Sequence, residues 1–216
     1  MKKPIVLILL LIVVVGAVIV GFYIKHQNDV NAEKARLAEQ AKIAEETKIA
    51  EQKRLHDEYE LGFKAVVAEI IFQAGVNNVV CERIAFSWEI GTGAGSAMSL
   101  FVRLAQDKAK KAGIYDLTMK GKEQIENEIR KLANPPSDYK TGYDLLLEMY
   151  GYHVQLYNQA TSPSGSYVSY CKDVNDKYSE IQKTYNKILV VVPGIKDESE
   201  KRALDLERIR EKIKNS

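Results

Sequence analysis

The chain has 216 residues, 46% of them hydrophobic and 28% charged, which suits one compact domain with appended segments. Its net charge of +2 supplies no large field, so nucleic acid is not an expected partner. No catalytic or cofactor motif stands out, and no enzymatic residues, cofactor or metal are expected.

The apolar content is concentrated at the start. From residue 5 to residue 24, "IVLILLLIVVVGAVIVGFYI", there is no charge. At a rise of about 1.5 Å per residue this run spans roughly 30 Å as a helix, the thickness of a bilayer core. A cleaved signal peptide is the competing reading, because Val30-Asn31-Ala32 offers small residues where a signal peptidase needs them. The run, however, exceeds the usual h-region of about 7 to 15 residues, and that site lies well beyond its end. A retained single membrane span is therefore expected. Lys2 and Lys3 abut the run and favour a short cytoplasmic tail, residues 1 to 4, with the rest of the chain extracytoplasmic in the cell envelope. Lys25, Lys34, Arg36 and Lys42 on the far side weaken that charge bias.

Residues 25 to 60 read as a charged helical stalk. Leu37, Ile43, Ile49 and Leu55 recur every six positions, and six residues at 100° place successive members about 120° apart. They form no stripe, and no heptad frame through residues 32 to 55 keeps an apolar seam. Ala, Glu, Lys, Gln and Leu are instead strong helix formers, and Glu33–Arg36, Glu39–Lys42, Glu45–Lys48 and Glu51–Arg54 are i,i+3 pairs worth about 0.2–0.5 kcal/mol each. A disordered charged linker is the alternative. Neither Gly nor Pro occurs from residue 22 to 61, which favours the helix. Over about 25 residues the composition resembles the Ala/Glu/Lys stalk of TolA-type envelope proteins, a compositional likeness that implies no function.

Residues 61 to 194 are expected to form a helical bundle, which makes the fold class all-α. Phe63, Val67, Ile70, Ala74, Asn77, Cys81, Ile84 and Trp88 alternate at four and three, while Val66, Ile71, Val79 and Val80 make a second apolar face. "GTGAGS", residues 91 to 96, ends this helix. It contains G-x-G but has no preceding strand, so a loop is expected and no nucleotide site. A shorter helix follows over about residues 97 to 112, with Lys108, Lys110 and Lys111 at its negative dipole end and Gly113 placed to cap it. The next, over residues 118 to 133, has Ile125, Ile129 and Leu132 as its seam and stops at Asn134-Pro135-Pro136. An antiparallel hairpin comes next. Its first stripe is Tyr143, Leu147, Tyr150, Val154 and Tyr157, its turn is residues 161 to 166, and its second stripe runs from Tyr167 through Cys171, Val174, Tyr178, Ile181, Tyr185 and Ile188 to Val192. A charged helix over residues 195 to 216 closes the sequence.

Few residues suggest chemistry. Cys81 and Cys171 fall on apolar stripes of different helices, and in an oxidising compartment a disulfide between them is expected; two buried free thiols are the alternative. His153 has apolar neighbours and no second histidine nearby in sequence, which reads as a core histidine bonded to a tyrosine hydroxyl or to backbone. His56 and Glu60 have metal-ligand spacing, but two ligands alone read as a solvated face. The expected function is a non-enzymatic, membrane-anchored scaffold or interaction module with a protein partner in the envelope. A ligand-binding bundle that signals through a partner protein is the alternative.

Overall fold

The computed structural model describes residues 3–92 and 98–192, together with residues 195, 205, 208, 209 and 211. The chain is all-helical, with no strand among the described residues. The helices are α1 (Lys3–Thr92), α2 (Met98–Lys111), α3 (Ile114–Lys131), α4 (Lys140–Thr161) and α5 (Tyr167–Val191), with a short 3-10 turn (Ser137–Tyr139) before α4. Most of the expected glycine loop and of the C-terminal charged helix lies outside the described residues. Two compact units are present, one ending at Leu55 and the other beginning at His56.

In the first unit α1 continues without a break through the charged repeat. Leu37, Ile43, Ile49 and Leu55 are all more than half exposed, as residues without a common face must be. The Glu51–Arg54 pair is closed at 2.6 Å, whereas Lys42 turns to Glu46 at 3.8 Å. By length and composition one helix, α1, could cross a membrane. Two stretches of it share that character and differ in environment. Fifteen of the eighteen residues from 63 to 80 are buried within the second unit, while Val18, Val20, Phe22, Tyr23 and Ile24 are exposed.

In the second unit the α1 stripe is the spine of the core. Phe63, Val67, Ile70, Ala74, Asn77, Cys81, Ile84 and Trp88 are all 5% exposed or less. The α3 seam, Ile125, Ile129 and Leu132, is buried against it. The break between α2 and α3 is shorter than its composition suggests. Ala112 and Gly113 alone turn the chain, Gly113 at φ 73°, a conformation open to glycine, and α3 begins at Ile114.

The stripe expected for α4 is one residue out of phase. Gly142, Leu146, Met149, His153, Leu156 and Ala160 are the buried face, while Tyr143, Tyr150, Val154 and Tyr157 are half-buried and Leu147 is exposed. Tyrosines lie at the edges of a buried face because their rings bury while their hydroxyls seek polar partners. On α5 the expected Val174, Ile181 and Ile188 are buried, and Tyr170 and Thr184 join them in place of half-buried Cys171, Tyr178 and Tyr185.

Helices α4 and α5 pack along each other and are joined by residues 162 to 166. Ser166 and Ser169 form a reciprocal capping box that starts α5, with Ser169 N–H donating to Ser166 Oγ at 3.3 Å. The end of α4 is secured by its neighbours. Its last four carbonyls would be orphans in an isolated helix. Here they accept from Ser162 N–H (2.7 Å), the Tyr170 hydroxyl (3.4 Å), the Tyr115 hydroxyl (2.9 Å) and the Gln106 amide (3.3 Å). Donors from α2, α3 and α5 thus converge on one helix terminus.

Candidate functional site

A polar layer crosses the core of the second unit. Helix α1 contributes Glu69, Gln73 and Asn77, four residues apart and therefore on one face, and all three are buried. Gln73 Nε2 donates to Glu69 Oε1 at 2.9 Å. Across from them α3 presents Gly121, where any Cβ would collide with the Gln73 amide. That glycine is there because a buried amide occupies the space a side chain would take.

Asn77 connects this row to α4. Its Nδ2 donates to His153 Nε2 at 3.4 Å, so the imidazole accepts on Nε2 and carries its proton on Nδ1. His153 is fully buried, and its pKa is pushed down to about 4 by that burial and, secondarily, by the charge of Lys122. At neutral pH the ring is uncharged. The expected partner, a tyrosine hydroxyl or the backbone, is not the one found; the side chain of Asn77 takes its place. The Tyr150 ring stacks on His153 at 6.0 Å, while its hydroxyl donates to Glu126 Oε1 on α3 at 2.5 Å. The same oxygen accepts from Lys122 at 2.5 Å, and these two bonds hold the Glu126 carboxyl below its usual range. Burial, followed by the Glu126 bond, raises the Tyr150 phenol. Tyr150 thus has its hydroxyl in the Lys122–Glu126 ion pair and its ring against His153.

Three atoms of this layer, Gln73 Oε1, Asn77 Oδ1 and His153 Nδ1, have no hydrogen-bond partner, and neither has Thr184 Oγ1 on α5. Each belongs to a side chain that is 0% or 1% exposed. Buried polar atoms are normally paired, and each unpaired one costs about 1–3 kcal/mol. The three atoms of the layer, two acceptors and one donor, can bind water or a small polar ligand, but the layer holds no nucleophile with an adjacent base. The sequence signal that could have disclosed it was Asn77, the one polar residue in the apolar α1 stripe, together with His153 on α4.

Cys81 on α1 is buried and Cys171 on α5 is half-buried, and the two are not bonded in this structure. Tyr170, fully buried, interacts with both, and its hydroxyl also lies 3.5 Å from the Cys81 carbonyl. Burial pushes the Cys81 thiol up to about 12, so it is an inert core residue.

His56 and Glu60 have more company than their spacing alone implies. Asp57 joins them, with one ligand atom from each of the three lying within 4.8 Å of the others. The His56 ring also meets Asp138 from the 3-10 turn, Nε2 to Oδ2 at 2.8 Å. Behind it lie Tyr139 at 5.5 Å and, from Tyr139, Tyr59 at 5.2 Å and Phe63 at 5.5 Å, all edge-on. Glu60 is paired with Lys64. No family model matches the chain, and neither the curated proteins nor the solved structures contain a match.

Proposed function

We propose that the chain is a single-pass membrane protein whose helical bundle acts outside the cytoplasm as a non-enzymatic interaction module of the cell envelope. The observation that supports this reading is the continuity of α1. One helix includes the uncharged N-terminal run, the exposed charged repeat and the core spine of the second unit. The lysines before the apolar run favour a cytoplasmic N-terminus.

The test is a topology assay on the full chain carrying Ser216→Cys with Cys81→Ala and Cys171→Ser. A membrane-impermeant maleimide should label it with the cytoplasmic membrane intact. Labelling only after that membrane is permeabilised would overturn the placement. In-membrane crosslinking followed by mass spectrometry should then capture a protein partner in stoichiometric amount, and recovery of the uncrosslinked chain alone would argue against an interaction module.

A second reading, a ligand-binding bundle that signals through a partner, draws on the three unpaired buried atoms of Gln73, Asn77 and His153. Under it, a bound small polar molecule would supply their missing hydrogen bonds. Native mass spectrometry of protein released from its own membrane would reveal such a molecule, and a mass equal to that of the bare chain would refute this alternative.

A further inference from the structure

We propose that His56, Asp57 and Glu60, backed by Asp138, form a surface site for a divalent transition cation of the zinc class. The proposal is independent of the topology and of the partner. It begins from the donor set, one imidazole nitrogen and two carboxylates, which suits zinc-like ions, whereas magnesium and calcium are held by oxygen alone.

The distances are within reach of coordination. A cation about 2.0–2.2 Å from each donor in tetrahedral array keeps the donors roughly 3.4 Å apart. His56 Nδ1 lies 4.0 Å from Asp57 Oδ1, and the widest of the three separations is below 4.8 Å. Closure by side-chain rotation is feasible, since the side chains of His56, Asp57 and Glu60 are 38%, 62% and 35% exposed. The fourth position would be left to water.

Asp138 distinguishes this group from an ordinary charged helix face. A carboxylate can only accept, so His56 Nε2 must carry the proton that bridges to Asp138, and in the neutral ring that cation binding selects the lone pair is on Nδ1, the nitrogen nearer Asp57. This is the carboxylate–imidazole–metal order by which metal-binding histidines are oriented. The residue that supplies it lies 82 positions away, on a turn anchored by buried Tyr139, so the ring is positioned from two elements at once. Charge points the same way. Asp57, Glu60 and Asp138 place three carboxylates around the ring, and the Lys64 ammonium is paired with one of them, Glu60. A dication held by Asp57 and Glu60 takes the place of the Lys64 ammonium at Glu60.

The experiment is calorimetric titration of zinc ion alone into the full chain in detergent micelles near pH 7.5, without a polyhistidine tag. One ion should bind per chain. His56→Gln should abolish binding, and His26→Gln should leave it unchanged. Asp138→Asn should keep the stoichiometry and weaken affinity by about 10- to 100-fold, the usual cost of losing an outer partner. Lys64→Met should tighten binding, because Glu60 no longer has to be released from an ammonium. Circular dichroism and Trp88 emission check that each variant remains folded. No heat of binding, wild-type affinity in His56→Gln, or loss of binding in His26→Gln would each overturn the site.

Discussion

His153 makes the stability of the second unit depend on pH in a way that can be calculated and isolated. In the folded chain its pKa is about 4, lowered by burial; in the unfolded chain it returns to about 6.5. Between those values the unfolded state holds a proton that the folded state rejects. The contribution is therefore complete above about pH 6.5 and is lost as pH falls toward 4. Integrated over that window, the 2.5-unit difference amounts to about 3 kcal/mol, of which roughly 2–2.5 kcal/mol is already lost on moving from pH 7 to pH 4.5. Trp88, the only tryptophan, is 5% exposed and reports unfolding directly. Urea unfolding of the full chain in mild detergent, followed by its emission, should show the midpoint falling by about 1 M over this range, given slopes of about 1–3 kcal/mol per M. Carboxylates also titrate at low pH, so the decisive quantity is the difference between wild type and His153→Gln. The variant should be less stable at pH 7 and should lose about 2 kcal/mol less on acidification. Parallel pH profiles for the two proteins would refute the buried neutral histidine.

Two other perturbations test the same interior. Gly121→Ala should destabilise by about 1–3 kcal/mol, as overpacking does, because the new methyl must displace the buried Gln73 amide; an unchanged urea midpoint would show that the α1–α3 approach is looser than the structure has it. In reduced native protein one thiol, that of Cys171, should react with a disulfide reagent, and the second should react only after denaturation, since Cys81 is buried and its thiol is raised to about 12. Rapid reaction of both in the native state would contradict the burial of Cys81.

The α1 spine was legible because four-and-three spacing over 26 residues leaves only one face to bury, and every residue of that stripe is in the core. The α3 seam was legible for the same reason. On α4 the pattern misled, since a buried face that includes Gly142 and His153 looks weak beside a neighbouring row of tyrosines. Gly142 is buried because Phe63 and Val192 close over it: an added Cβ would meet Val192 at 2.9 Å and Phe63 at 3.2 Å. Such a close approach is a tertiary fact that no local periodicity encodes. The polar layer was half visible, in Asn77 as an anomaly and His153 as a core histidine, but their pairing joins residues 76 positions apart. Asp138 gave no local sign that it would meet His56, because the turn that carries it is placed by Tyr139 packing on α1.

Whether the polar layer exists for structure or for a ligand can be decided by removing it in stages. Asn77→Leu alone takes away the donor to His153 Nε2 and leaves the imidazole with two unpaired nitrogens, so a loss of about 1–3 kcal/mol is expected. His153→Leu alone frees the Asn77 amide in the same way and should cost a similar amount. The double variant removes both polar groups together, along with two of the unpaired atoms, Asn77 Oδ1 and His153 Nδ1. Replacing a paired polar set by apolar groups of similar volume is often neutral or stabilising. The double variant should therefore be more stable than either single one and close to wild type, with a coupling of about 1–3 kcal/mol. If its membrane crosslinking partner is also retained, the layer serves the specificity of packing and the interaction surface lies elsewhere. Loss of the partner from a double variant as stable as wild type would instead place function in the core, through a ligand that these atoms bind. A loss in the double variant equal to the sum of the two single losses would show that Asn77 and His153 do not act as a pair.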